Sequence, residues 1–558
     1  MIVAVLTLFV IHCAGCHGDD ARGTAKGPGL VGNAHIAGRT AEQLQEFLKR
    51  GNPGAGMPAF GDLASADLVA LASYVRSLAP NAALPPTSSA KISWRAPQPS
   101  DWLTYNGNYS GNRYSELKQI TVSNVANLQL KWIYPTANFG LETTPLASDG
   151  VLYFTGPNQV VAVNALTGEE LWKYARAMTP GLQGDAKLGT NRGVGILDDK
   201  VFFVTDNAHL LALSRADGEL LWEVPMCDEP YPYGGTMAPL VVDGNVVVGV
   251  AGADHGIRGF VAAFRASDGG LVWRHYTVAD QPHALGGSTW LTGSYDAETG
   301  TLYWPTGNPY PDGDDRDRPG DNLYTDSVLA LDAKTGELRW HYQFTPHDLL
   351  DRDATEPMVL VDTGWKGTQR KLILHADRNG FFYVLDRTNG ELLMAKPFLK
   401  RVDWASSIGK DGRPVVVAPK GCPSDAANWS STAFSPATNL YYFMALEECV
   451  GKPTGYPDQT GQRYLRALNI ESGDIAWEVS QPGSARAKTW TGVLATTGGV
   501  LFYGKPNGGF DAVDEKTGET LFHFPTNVRM KAPPITFAVN GKQYVVVAAG
   551  PNILCFGL

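Results

Sequence analysis

The sequence predicts an all-β chain of radially stacked sheet units, preceded by a small all-α segment. Three observations carry this reading. A unit with a fixed glycine and a following aromatic recurs along most of the chain. The 558 residues include 62 glycines, 36 prolines and 14 tryptophans, a supply of turns and aromatic contacts that favours sheet over helix. The start of the chain lacks the repeat and shows helical spacing instead. A chain of this length exceeds one ordinary core and calls for a large closed architecture or several domains. With 44% apolar and 18% charged residues the composition is globular and soluble. A net charge of −10 without a basic stripe gives no footprint for nucleic acid. No apolar run is long enough to span a bilayer.

In chain order, Ile2 to Ile11 is apolar, has no basic residue before it, and is followed at once by Cys13. That suits the first helix of a small domain better than a signal peptide or a membrane span, with any native leader upstream or the start misassigned. Cys13-Ala-Gly-Cys16-His17 is the C-x-x-C-H attachment signature of c-type haem: two thioethers from the thiols and one axial imidazole, His17. Half of a zinc site is the rival reading. It would need a second close pair, and Cys227, Cys422, Cys449 and Cys555 are isolated. Met57, in the Gly/Pro-rich loop Gly51 to Pro58, is placed to take the sixth position on the iron. Ser65 is expected to cap a helix through Arg76, whose apolar residues recur at helical spacing. The segment closely resembles a class I cytochrome c. Residues 1–80 are therefore read as a cytochrome c domain and 81–99, rich in Pro, Ala and Ser, as a linker. Residues 100–558 hold the repeats.

The repeat reads Ala162 to Trp172, then Ala212 to Trp222, Ala263 to Trp273 and Ala330 to Trp340. Weaker copies end in Met394, Trp477 and Phe522, and an incomplete one in Trp132. In each, glycine supplies the positive φ of a short hairpin turn, and the Asp, Asn, Thr or Ser before it bonds to the turn backbone. The aromatic four residues later can bury about 150–250 Å² on a neighbouring unit. Such units stack radially, and eight of them close a β-propeller. The incomplete first copy and the strand Gln543 to Ala549 predict that both termini build the last blade, removing its exposed edge.

Within this frame, Thr345 to Asp353 reads TPHDLLDRD. Acids so close repel unless a cation neutralises them, so the stretch is either a solvated loop or one wall of a site for a hard, oxygen-seeking metal.

The repeats resemble the tryptophan-docking motifs of quinoprotein alcohol dehydrogenases, eight-bladed propellers that hold pyrroloquinoline quinone (PQQ) and a metal near the axis. With the cytochrome segment, the likeness is to the quinohaemoprotein members. It implies Asn308, in Gly307-Asn308-Pro309, as a metal ligand, and Asp254 as the carboxylate ligand where relatives usually carry glutamate. It implies Asp351 as catalytic base and metal ligand. Asp353, two residues further, resembles the lanthanide-using branch, so the ion is Ca²⁺ or a lanthanide; a trivalent ion gains more from an added carboxylate. Trp290 falls where the family has the tryptophan under the PQQ ring. Glu142, Thr236, Arg192, Arg378, Asn428, Trp429 and Trp490 match other cofactor contacts. The adjacent cysteines that many relatives carry over the cofactor are missing from Asp185 to Gly193. Cys422 and Cys449 resemble a family disulfide, which suits an exported, periplasmic protein. The implied activity is oxidation of an alcohol, with electrons passing from PQQ to the haem and then to a soluble cytochrome c or a terminal oxidase. Polyvinyl alcohol, sugar and aldehyde oxidation by the same architecture are alternatives, as is a non-enzymatic scaffold propeller.

Overall fold

A computed structural model describes residues 2–78 and 100–558, apart from 19–20, 22, 25, 32, 34–35, 37–38, 54–55, 139, 228–231, 282, 448–461 and 483–490. The expected linker, Cys449 and Trp490 lie outside the described residues.

The N-terminal region is helical: Ile2–His12, Ala14–His17, Ala41–Arg50 and Ser65–Ser77. The third of these is closed by a capping box, in which Thr40 accepts from the Gln43 N–H and Gln43 from the Thr40 N–H. Ser65 does not cap the last helix as expected. Ala64 occupies the cap position, and its carbonyl accepts from Asp67 and Leu68, so Ser65 already lies in the first turn. Leu44, Leu48, Leu68, Leu71 and Val75 form a common core with Phe9 and Cys13.

Among the described residues of the remaining chain, eight blades of four antiparallel strands follow one another, the blade at 493–524 being extended by Tyr114–Ser115, which pairs parallel to its first strand. Seven are continuous in sequence, at 146–175, 195–225, 240–276, 294–343, 359–397, 433–481 and 493–524. The eighth combines Ile535–Val539, Lys542–Ala549 and Asn552–Gly557 with Gln129–Pro135 from the start of the propeller. Both ends thus build the closing blade, as the incomplete copy predicted.

The repeat glycines have a second role beyond φ. A β-carbon on Gly168 would lie 2.7 Å from the Trp132 ring, and one on Gly218 2.5 Å from Trp172, so each blade's tryptophan lies flat on the next blade's turn. At several junctions the indole N–H also donates to a carbonyl of that turn: Trp132 to Ala165 at 3.1 Å, Trp172 to Arg215 at 3.0 Å, Trp273 to Ala333 at 3.0 Å, whereas Trp222 Nε1 has no such partner. Met394 has no N–H to offer. In that blade Trp365, on the first strand, donates to Ile470 O across the junction instead, at 3.1 Å. The turn residues behave as expected, Thr167, Asp217 and Asn389 each accepting from a backbone N–H just past the glycine.

This alternation gives the propeller two unlike faces. Turns after the first and third strands of each blade lie on one face; loops after the second and fourth lie on the other. The helical region meets the turn face: Arg39 pairs with Asp217 at 3.0 Å and Arg50 with Glu219, on either side of Gly218. No described helix is long and apolar enough to cross a membrane.

Candidate active site

On the loop face, near the axis, lies a cavity of about 350 Å³. Every residue lining it comes from a loop that follows a second or fourth strand. Glu142, Asp254, Trp290, Asn308, Asp351, Asp353 and Arg378 face it together, as do Thr236, Asn428 and Trp429. These residues span some three hundred positions of sequence, and only closure of the propeller brings them into one wall.

The cavity has a basic and an acidic end. At the basic end, Arg192 is fully buried, donates to Glu142 Oε2 at 2.8 Å, and lies between the Trp290 and Trp429 rings at 4.8 and 4.7 Å from their centroids. Its Nε has no hydrogen-bond partner. Lys531 donates to the other Glu142 oxygen at 3.2 Å.

At the acidic end, Asp254 sits on a short turn, Ala253–His255, whose entry at Gly252 has φ 121°. Its Oδ1 is 3.3 Å from Asn308 Nδ2, so the shorter acid still reaches its expected partner. Asp353 accepts from the Asn308 N–H at 2.8 Å, the Trp290 indole at 3.2 Å and Arg378 at 3.2 Å. Asp351 adopts φ +57°, a conformation costly for a non-glycine residue, and receives Arg378 Nη1 at 3.4 Å. Arg378 is fixed from behind by Asp425 at 2.5 Å.

Electrostatics sharpen the contrast. Burial pushes the Asp353 carboxyl up to about 6; Arg378 opposes this, and Asp254 adds to it. Burial likewise drives Asp351 well above the carboxylate range, against Arg378 and with the help of Asp353 and Asp254. For Arg378, burial works against the charge, but Asp351, Asp425 and Asp353 outweigh it and hold the guanidinium ionised. Three carboxylates face one guanidinium here, so the site is short of positive charge.

The acidic stretch divides between the two readings open to it. Asp351 and Asp353 enter the cavity, whereas His347 turns outward to Gly320 O at 2.7 Å and Asp315 at 3.2 Å. Asp348 accepts the Arg352 N–H at 2.7 Å and its guanidinium at 3.3 Å. Arg352 also faces away. It is buried and donates to the carbonyls of Pro419, Gly421 and Pro423, over Trp404. The loop it clamps carries Cys422, which is disulfide-bonded.

Where relatives have their paired cysteines, this chain places the short helix Gly184–Lys187, with Ala186 lining the cavity. A β-carbon on Gly234 would lie 2.5 Å from that of Ala186, so the two segments close tightly on each other. Sequence reasoning missed Lys531, Asp425, Ser288 and His255. They lie in loops outside the repeat, and no spacing marked them.

In the helical region, His17 Nδ1 is 2.8 Å from Pro28 O. A proton on Nδ1 satisfies that carbonyl and leaves Nε2 for a metal. Burial and the neighbouring Cys16 raise the Cys13 thiol to about 11. Met57 packs against the helical core.

A cavity lined by Trp290 and Trp429 with charged groups at both ends, together with a C-x-x-C-H segment in the same chain, suits a redox enzyme with two prosthetic groups. The comparisons agree. Residues 102–396 and 464–545 match the glucose/ethanol/alcohol dehydrogenase β-propeller domain, and residues 4–75 match cytochrome C oxidase, cbb3-type, subunit III. The chain is 36% identical to the quinohemoprotein alcohol dehydrogenase ADH IIB of Pseudomonas putida, over 81% of this chain and 73% of that protein. It is 32% identical to the quinoprotein alcohol dehydrogenase PedH of the same species, over 81% and 86%. Among solved structures, the quinohemoprotein alcohol dehydrogenase from Comamonas testosteroni superposes with a TM-score of 0.74 at 31% identity, covering 82% of this chain and 80% of that one. A europium-containing methanol dehydrogenase gives 0.73 at 29%, covering 83% and 98%. The chain belongs to the PQQ-dependent quinohaemoprotein alcohol dehydrogenases.

The residues present fit both groups the family implies. A tricarboxylated, planar quinone would find a floor in Trp290 and cations in Arg192, with its orphaned Nε, and Lys531. A covalent haem would find Cys13, Cys16 and an oriented His17. The three axial carboxylates suit a hard cation.

Proposed function

We propose that this enzyme oxidises an alcohol at the acidic end of the cavity, with Asp351 as the base. Bound there, PQQ would accept the two electrons and a cation would polarise its carbonyl. The observation that carries the reading is the convergence of Asp254, Asn308, Asp351 and Asp353 on one wall beside Arg378. Asp254, Asn308 and Asp351 would hold the cation. Asp353 adds a fourth ligand that favours a lanthanide over Ca²⁺, its orientation fixed by the Asn308 N–H and the Trp290 indole. A bound ion would favour the charged form of the two raised carboxyls. Asp351 then takes the hydroxyl proton, and Arg378 holds that carboxylate in place and faces the negative charge that develops on reduction. Glu142, Arg192, Thr236, Asn428, Trp429 and Trp490 would orient the cofactor, and the Ala186 helix covers it.

Cys13, Cys16, His17 and Met57 would hold a haem, which would supply one-electron transfer to a soluble cytochrome or a terminal oxidase in the periplasm. The docked position of the helical region bears on that route. Its partners Asp217 and Glu219 lie at the opposite ends of the strands from the cavity, and a six-residue strand spans about 20 Å. Internal transfer therefore requires the cytochrome, on its 81–99 linker, to leave the turn face. Asp217→Lys with Glu219→Lys, which repels Arg39 and Arg50, should speed haem reduction by alcohol in single turnover; a slower rate would show that the docked form is the competent one. Asp351→Asn should keep PQQ bound and abolish haem reduction by alcohol, and retained turnover would remove Asp351 from the role of base.

A further inference from the structure

Behind the cofactor cavity, and not lining it, Glu356, His375 and Asp377 form a separate cluster. All three are buried: their side chains are 1%, 0% and 0% exposed. One donor atom from each lies within 4.8 Å of the others. His375 Nε2 is 3.0 Å from Asp377 Oδ2 and 3.8 Å from Glu356 Oε2. Neither Glu356 carboxylate oxygen has a hydrogen-bond partner, although the side chain is aimed at the other two.

We propose that these three residues bind a small divalent first-row metal ion, of the zinc class, distinct from the cation at the propeller axis. The donor set of one imidazole and two carboxylates suits such an ion and not Ca²⁺, which takes six to eight oxygens. Tetrahedral ligands about 2.0–2.1 Å from a zinc ion stand about 3.3 Å apart, so the observed separations need little adjustment. A proton alone does not resolve the cluster. Ionised, Glu356 is an unpaired anion in a dry interior; neutral, its hydroxyl has no acceptor within bonding distance. The second carboxylate is already oriented, since Asp377 Oδ1 accepts the Asn379 N–H at 2.8 Å. The Phe344 ring packs over His375, with centroids 4.4 Å apart, and closes the site on one side. Three protein donors leave a fourth position for water.

The site would act by positioning. Glu356 lies on the loop that carries Asp351 and Asp353, and Asp377 immediately precedes Arg378. An ion held between them ties the base-bearing loop to the arginine that contacts it.

The test is metal analysis of the untagged enzyme loaded with haem, PQQ and Ca²⁺, so that the axial site is already filled. Dialysed against zinc and then washed, the protein should keep one zinc per chain, with an X-ray absorption edge fitted by nitrogen and oxygen near 2.0 Å and no sulfur. Glu356→Gln, nearly isosteric, should lower zinc affinity at least tenfold while PQQ and haem contents stay at wild-type levels; His375→Ala should abolish binding. The wild type should also gain thermal stability on zinc addition, and Glu356→Gln should not. Absence of stoichiometric zinc in the wild type, or equal retention in both variants, would overturn the assignment. Either result would leave the axial site untouched, because PQQ and Ca²⁺ are measured in the same samples.

Discussion

The two faces of the propeller use the same strands for different ends. On the turn face, the same short turn recurs: a positive-φ glycine, a side chain bonded to its own backbone and, at most junctions, a neighbour's tryptophan laid across it, Met394 and Lys396 taking that place at Gly473. Ionisable groups there are paired near solvent, as Arg215 is with Asp149. The loop face has no repeat. It collects Arg192, Arg378, Asp353 and Asp254 around one cavity and holds Asp351 in a left-handed conformation. One face spends regularity on stability, while the other tolerates buried charge and strain, which is where chemistry is expected. Substitutions on the two faces should therefore separate cleanly into effects on turnover and effects on folding.

The largest expected effect is on the loop face. Asp351→Asn should lower kcat by about a thousandfold, the usual scale of a general base, with the unfolding midpoint little changed; steady-state haem reduction and thermal melting, run side by side, read both. A comparable loss of stability would mean that the strained loop is structural and would break the comparison.

Next comes pH. In metal-free protein Asp353 binds its proton more tightly folded than unfolded, so its contribution to stability is complete below about pH 4. It is lost as pH rises through about 6. Melting temperature should fall over that window without a cation, and added Ca²⁺ or lanthanide should restore it most strongly above pH 6. Melts at each pH with and without the ion check the sign.

Lys531→Met tests a residue that only the structure revealed. Loss of one charged contact at the basic end should weaken PQQ binding by roughly tenfold, or about 1.5 kcal/mol, with kcat at saturating PQQ nearly unchanged; titration of apoenzyme with PQQ measures it. The smallest effect belongs to the turn face. Trp172→Phe keeps an aromatic ring but loses the indole's five-membered ring with its N–H to Arg215 O, and should cost about 1 kcal/mol of stability or more with no change in KM; denaturant unfolding beside steady-state kinetics checks both.

The sequence exposed these faces unequally. Turn chemistry is local, so Gly168, Gly218 and Trp172 announced the blades, and the incomplete copy ending in Trp132 with the strand Gln543 to Ala549 announced a last blade built from both termini. That the glycines also serve as platforms for the preceding tryptophan was not legible, because the contact joins residues some forty positions apart. The cavity residues were found through resemblance to a family rather than from spacing, since Asp254, Asn308 and Asp351 come from separate loops. Lys531 and Asp425 carried no pattern at all. Within TPHDLLDRD, composition alone could not divide the acids; the structure assigns Asp348 to Arg352 and leaves Asp351 and Asp353 to the cavity. Ser65 was misplaced by one residue because helix starts are read from side-chain chemistry, and here a backbone carbonyl, that of Ala64, begins the helix.

The account rests on a cation held by the axial carboxylates, and one measurement tests it most directly: single-turnover haem reduction by alcohol in apoenzyme loaded with PQQ, before and after titration with Ca²⁺ or a lanthanide. The expected result is no reduction with PQQ alone, then a rate that rises with added ion and saturates at one per chain, and that is absent from Asp254→Ala at any ion concentration tested. Full-rate reduction without added ion, in protein shown to be free of metal at the axis, would contradict it.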